Sequence, residues 1–422
     1  MILSFASIWM TALTLLATDA HAAPAREAPH LELELESRDY ARLLDAQPIR
    51  LRSQNSVNPA ADLTDLIQIG KRNLDFLDHL NSKRPVDQKL NLTSPELQPG
   101  YPIDAPKESS PRILREKMTA IRSEAPAELG AILFGNQTFP DSIGLDDITY
   151  LTWARKLDGV YQGASRWTLQ EPYLESYKSR ATKDVRGYYY LTREPNWQDT
   201  LTRWDGLGSS EKARLRPWIL SICVNATRDS VLCKNSLTSA ETTGTVLQFT
   251  QRHLPKAKGL WDSYFKLGGR RSDITWRRDN PNLASMPFKD PRDPTVKRWL
   301  LNNVEDEWRL DGWTLKLDFK SQTNWGTAEV VFIPGATPHV NGLGGNTITM
   351  DANQALEEYG TRWTIRHEFG HVLGLPDCYV EFYEEEKQVM VSYQLDLGNL
   401  MCSRRGKLQK IHYDELKSAY FR

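Results

Sequence analysis

The 422-residue chain has little cysteine: four in all, none in a CxxC pair and none before Cys223. That spacing excludes a four-thiolate zinc ribbon and leaves two disulfides or a thiolate metal site. Net charge is almost absent as well, with 53 Lys plus Arg against 54 Asp plus Glu for a formal charge of -1. There is no basic field of the kind that holds nucleic acid or an anionic membrane, and short pairs such as Arg270-Arg271 and Arg277-Arg278 read as surface charge. Beyond the N-terminus no run of about 18 apolar residues occurs, so no membrane-spanning helix is expected. The N-terminal stretch Ile2 to Ala17 is apolar but short, and Ala20-His21-Ala22 fits a small-residue cleavage site. Residues 1–22 are therefore read as a signal peptide without a basic leader, and the mature chain as secreted, extracellular or periplasmic.

About 400 residues follow the cleavage point, enough for two or three domains with real cores. Composition divides them. Of the 23 prolines, 12 fall between Pro24 and Pro140, whereas every tryptophan after Trp9 lies between Trp153 and Trp363. Residues 23–112 read as a proline-rich N-terminal segment: Leu31-Glu32-Leu33-Glu34-Leu35-Glu36 alternates as a short strand, and Pro85, Pro95, Pro99, Pro102, Pro106 and Pro111 mark an extended linker over 82–112. From 113 to 268 apolar spacing predicts helices over Ile113–Phe134, Asp146–Tyr161, Ser209–Cys223 and Leu237–Leu254. Trp197, Trp204, Trp218 and Tyr188-Tyr189-Tyr190 fall in this region, either as a binding surface for carbohydrate or peptide or, more simply, as the core of a helical domain.

Residues 269–422 carry the chemistry. In Arg366-His367-Glu368-Phe369-Gly370-His371 two imidazoles stand four positions apart, on one face of a helix one turn above each other. A catalytic zinc ion takes three protein ligands and leaves a fourth position for a water whose pKa falls to about 7. A third ligand must follow. Gly374 is placed to end the helix in a left-handed cap, Pro376 prevents it from resuming, and Asp377 is turned back. His367, His371 and Asp377 are thus the expected Zn2+ ligands, with Glu368 as general base. Upstream, Ile274-Thr275-Trp276 reads as a strand, Val296 to Trp308 as an amphipathic helix, and Trp313–Phe319 and Ala328–Ile333 as strands.

The full pattern HExxHxxGxxD resembles the metzincin clan of zinc endopeptidases. Most members have histidine at the third-ligand position, and the aspartate is similar to the snapalysin family of small secreted bacterial proteases. Asn399-Leu400-Met401-Cys402-Ser403 resembles the clan's methionine turn, which lies beneath the metal. Ser403 stands where many members have tyrosine, so that additional ligand is not implied. Gly342 to Asp351 looks like the glycine-rich loop and strand of the matrixin branch, and Ile411 to Tyr420 like the closing helix of the clan. The resemblance implies an α+β fold in which a metzincin-like catalytic domain (a twisted mixed sheet, active-site helix, Met-turn and C-terminal helix) follows a mainly helical domain. It implies a secreted zinc endopeptidase acting on a polypeptide substrate, with residues 403–411 walling the primed-side pocket. The alternative is a catalytically silent, zinc-containing peptide- or carbohydrate-binding module, and the intact Glu368 argues against it. The pattern specifies no oligomeric state.

The four cysteines allow three connectivities. Pairing of near neighbours, Cys223 with Cys233 and Cys378 with Cys402, is favoured over a second zinc site, and the latter bridge fixes the third ligand against the floor of the site. Since the implied clan is commonly made as zymogens, part of 23–268 is a candidate prosegment, with Gly268-Gly269-Arg270-Arg271 as either a processing site or an uncut loop. His21, His30, His79 and His253 have no partner at ligand spacing. His339 and His412 fall nearer the cleft, His412 as a packed residue of the closing helix. Glu384-Glu385-Glu386 reads as a solvated loop, or less simply as a selector of basic substrate residues.

Overall fold

The computed structural model describes residues 31–46, 62–93, 100–135, 137–322 and 324–422. The signal-peptide reading of 1–22 lies outside these residues. The chain is mixed α+β, mainly helical up to Ser263 and with small sheets after it. Among the described residues no helix is long and apolar enough to cross a membrane.

Backbone chemistry explains where the helices depart from apolar spacing. The stretch expected as one helix over Ile113–Phe134 is two, Pro111–Glu124 and Ala127–Phe134. Pro126 divides them, since a residue before proline is pushed out of the helical region and Ala125 has ψ 145°. Leu237–Leu254 is likewise split between Ser230–Thr242 and Val246–Ser263, with Gly244 at φ 65° in the break. The helix Asp147–Gln170 runs nine residues past its expected end at Tyr161 because Gly163 to Trp167 are buried all round, so amphipathicity fades while the helix continues. Trp204 is buried and Trp197, Trp218 and Tyr188 pack against Leu191, Leu215, Ile219 and Leu237, so these aromatics are core.

The alternating segment Leu31–Glu36 is not a strand. It has no ladder partner, turns at Leu33-Glu34, and leads into a helix at Ser37–Asp45. A further helix, Thr64–Ser82, was not anticipated. The stretch read as an extended linker contributes β1 (Lys107–Ser109), which joins a sheet built from the far end of the sequence.

That sheet has the order β1-β10-β9, where β9 (Tyr379–Glu384) and β10 (Val389–Gln394) form a hairpin. Glu384-Glu385-Glu386 reaches its turn, where Glu385 and Glu386 pair with Lys178 (2.6 Å) and Lys234 (3.0 Å) of the helical region. The remaining strands are β2 (Thr275–Trp276), β3 (Leu283–Lys289), β4 (Arg309–Leu310), β5 (Trp313–Lys320), β6 (Glu329–Ile333), β7 (His339–Val340) and β8 (Thr347–Asp351). They pair as β2-β3-β5-β4 and β6-β8-β7, with β3 parallel to β5 and β6 parallel to β8. Sequence pattern missed β3 because Pro287 interrupts it, and proline argues against a strand interior. One bridge joins Phe288 to Ala328, with the Lys289 N–H donating to the Ala328 carbonyl at 2.7 Å, so the two sheets meet edge to edge. The expected helix before β4 is a helix at Pro294–Leu300 continued by a π-helical turn, Leu301–Glu305.

The largest apolar cluster holds Trp276, Phe288, Trp299, Trp308 and Ile348 together with Ile365, Phe369 and Val372. The last three lie on the helix Tyr359–Val372. Its apolar face is thereby fixed to the sheets, and its other face carries the polar motif.

Candidate metal centre

His367, Glu368 and His371 all lie on that helix, which stops at Val372; Gly374 then turns the chain at φ 97°. Glycine is required there twice over, because a Cβ would also sit 1.9 Å from the Gly269 carbonyl oxygen. The turn brings Asp377 back over the helix. Its Oδ1 lies 3.1 Å from His367 Nε2 and 3.4 Å from His371 Nε2. The two imidazole planes are at 89°, so the nitrogens approach this point from different directions.

The opposite ring nitrogens fix the tautomers. His367 Nδ1 is 2.9 Å from the Leu400 carbonyl and His371 Nδ1 is 2.8 Å from the Leu375 carbonyl. A carbonyl only accepts, so both Nδ1 atoms carry hydrogen, and both Nε2 atoms, the positions left for a metal, face Asp377. Electrostatics favour a cation at the same place. Burial works against charge on His371, yet the Asp377 carboxylate overrides it and pushes the imidazole up to about 10. Burial likewise opposes ionisation of Asp377, and the two imidazoles nonetheless hold its carboxyl far below the usual range.

These groups fit a zinc ion. For zinc–ligand bonds of about 2.0–2.1 Å, a tetrahedron has edges of roughly 3.3 Å, and the two nitrogen–oxygen separations of 3.1 and 3.4 Å bracket that length. Among the described residues this trio is the one group of three or more His, Cys, Asp or Glu side chains whose ligand atoms converge, all within 4.8 Å.

Two disulfides occur, Cys223–Cys233 and Cys378–Cys402, and no described cysteine is free. The second joins the residue after Asp377 to the residue after Met401, and the Cys378 N–H donates to the Met401 carbonyl at 3.1 Å. Met401 lies directly under the helix. A Cβ on Gly370 would meet its sulfur at 2.2 Å, so only glycine allows this approach.

His412 is packed within the closing helix, as expected, and its hydrogen bonds also make it a positioning residue. Its Nδ1 accepts from the Gln409 N–H (2.9 Å) and its Nε2 donates to Asn399 Oδ1 (2.8 Å), which also accepts from the Met401 N–H (2.8 Å). Burial pushes His412 down to about 4. Both nitrogens serve a neutral ring, so protonation favours the unfolded chain, where the pKa is near 6.5. Stability contributed by His412 should be complete above about pH 6.5 and lost as pH falls toward 4, by up to about 3 kcal/mol. Urea denaturation at pH 7 and pH 5 tests this: His412→Gln should flatten the difference, and an unchanged pH slope would refute it.

Two residues near the helix Tyr359–Val372 carry no signal in the motif itself. Glu32 is buried between Glu368 and Arg404, with its carboxylate 2.8 Å from Arg404 Nη2. Burial and the neighbouring Glu32 carboxylate both raise Glu368, while Arg404 offsets burial and holds Glu32 low. Charge complementarity was the available signal: the glutamates of 31–36 match Arg404-Arg405, directly after the methionine turn. The hydroxyl of Tyr379 is buried without a hydrogen-bond partner among the described residues, and Tyr379 lines a small cavity together with Glu32, His367 and Arg404.

The segment 268–271 is built into the site's support. The Gly268 N–H donates to the Gly374 carbonyl (2.8 Å), and Arg271 is buried, donating to the Gly345 (2.6 Å) and Gly326 (2.8 Å) carbonyls. Gly268 and Arg270 are exposed but Arg271 is buried, so proteolysis after Arg271 requires the segment to open first. His339 is exposed on β7, with Nδ1 turned to the Thr337 carbonyl, outside the ligand cluster. Comparison with protein-family models, curated proteins and solved structures finds no match for this chain.

Proposed function

We propose that the protein is a secreted, metzincin-like zinc endopeptidase that hydrolyses polypeptides with Glu368 as general base. The convergence of His367 Nε2, His371 Nε2 and Asp377 Oδ1, with each Nδ1 secured by a carbonyl, is the observation that carries this reading. Bound zinc supplies Lewis acidity, to a water that becomes the nucleophile and to the scissile carbonyl. Glu368 accepts the proton of the attacking water and delivers it to the departing amine nitrogen. The Leu400 and Leu375 carbonyls hold the imidazoles in the ligating tautomer. Met401 against Gly370 and the Cys378–Cys402 bridge keep Asp377 in register with the helix. The disulfides and the absence of a membrane-spanning helix among the described residues are compatible with export.

The second reading, a zinc-containing module that holds peptide without cleaving it, draws support from one fact: Glu32 occupies the space beside the base. Incubation with denatured protein substrates, with and without a zinc chelator, separates the two. Cleavage that survives the chelator sinks the endopeptidase reading.

Metal binding has its own readout. A ligand that binds only the native state adds stability by mass action, about 2.7 kcal/mol at a hundredfold excess over its dissociation constant. Zinc should therefore raise the melting temperature of the unaltered chain, and Asp377→Ala should remove most of that rise and reduce bound metal measured by mass spectrometry. An equal rise in both proteins would show that zinc binds elsewhere.

A further inference from the structure

The segment Leu31–Glu36 has two chemically distinct sides. Leu31 and Leu35 pack with Tyr40, Leu44, Tyr161 and Leu169. Glu32 and Glu34 instead face the catalytic region. Glu34 Oε1 accepts from Gln394 Nε2 (2.6 Å) and from the Ser403 hydroxyl (3.1 Å), while Oε2 accepts from the Arg404 N–H (2.6 Å). Glu32 takes the Arg404 guanidinium at 2.8 Å, and Arg404 is itself 7% exposed. Glu32 also reaches Glu368 and His367. The cavity bounded by Glu32, Glu34, His367, Tyr379, Ser403 and Arg404 measures about 10 Å³, room for about one water, so the segment fills most of the space next to the base.

We infer that Arg404, with its own N–H, the Ser403 hydroxyl and the Gln394 amide, forms a recognition site for two acidic side chains beside the catalytic glutamate. The site is occupied here by the chain's own Glu32 and Glu34, and the substrates it fits are polypeptides bearing glutamates at alternate positions. This inference rests on the reading of the centre as a peptide hydrolase. Its physical basis is desolvation. A buried guanidinium needs a carboxylate, and hydrogen bonds between charged partners are about twice as strong as neutral ones, so a neutral side chain in the same place leaves Arg404 uncompensated. A tethered occupant has an effective concentration in the millimolar range, so an incoming peptide competes only after the tethered one is weakened.

The test uses the full chain carrying Glu32→Gln and Glu34→Gln, which weakens the internal occupant and leaves Arg404 intact. The probes are fluorescein-labelled Leu-Glu-Leu-Glu-Leu-Glu amide and its counterpart with glutamine at each glutamate, followed by fluorescence anisotropy. The glutamate peptide should bind at least about tenfold tighter than the glutamine peptide, and adding Arg404→Gln should erase that ratio. Equal binding of the two peptides, or no binding of either, overturns the inference without any need for the Arg404 variant to fold. Tight binding without cleavage of any substrate leaves the acidic site standing and removes the hydrolase reading instead.

Discussion

Glu368→Gln should lower peptide-bond hydrolysis by about 10²- to 10⁴-fold while leaving bound zinc unchanged. The carboxylate sits between the two imidazoles in sequence but contributes no ligand atom to the convergent cluster, so its removal leaves all three ligand atoms in place. Glutamine has nearly the same shape, hydrogen-bonds where the carboxyl does, and cannot accept a proton at neutral pH. The loss should appear in kcat and kcat/KM together, because proton transfer belongs to the transition state and not to substrate binding. Paired assays of hydrolysis rate and metal content are the measurement. A variant that keeps its zinc and more than a tenth of its activity would remove Glu368 from the mechanism.

The second large effect is structural. Arg166→Met should destabilise the fold by about 3–5 kcal/mol, the usual loss when one partner of a buried ion pair is deleted. Arg166 donates to both carboxylate oxygens of Glu381 (2.7 and 2.8 Å), to the Tyr40 hydroxyl (2.9 Å) and to the Glu32 (2.8 Å) and Leu31 (3.1 Å) carbonyls. This one guanidinium therefore satisfies backbone that has no ladder and a β9 carboxylate that also accepts from the Ser392 hydroxyl at 3.0 Å. Urea denaturation gives the stability change. Hydrogen exchange should show residues 31–40 opening first, since their backbone acceptors are the ones released. The double change Arg166→Met with Glu381→Leu should regain a large part of the loss, because no orphaned charge then remains. A single variant within 1 kcal/mol of the parent would show that the pair is not holding the segment.

How much of this was legible in the sequence follows from where the information lies. His367, His371 and Asp377 come together as their spacing implies, since a helical face and a glycine turn are local properties. The pairing of Cys378 with Cys402 was favoured on similar grounds, and it forms. The helices were found where one face is apolar and lost where burial surrounds them or proline intervenes, as at Gly163–Trp167 and Pro126. The alternation of Leu31–Glu36 misleads for a physical reason. Alternation means that two sides meet two environments, and a strand is only one way to arrange that; here leucines meet one apolar cluster and glutamates meet Arg404, with Arg166 in place of a neighbouring strand. The packing of His412 in the closing helix is legible, but its bond to Asn399 is not, because that partner announces itself only once the helix lies across the methionine turn.

The bridge between Cys378 and Cys402 has a thermodynamic corollary. It spans the stretch that presents Asp377 and the turn that holds Met401, so under the proposed zinc reading oxidation state and metal occupancy would be coupled equilibria of one small region. Coupling of this kind is reciprocal. Whatever factor the crosslink adds to zinc affinity, zinc returns as resistance of the crosslink to reductants, and a chain that meets thiols before metal is the more easily opened of the two.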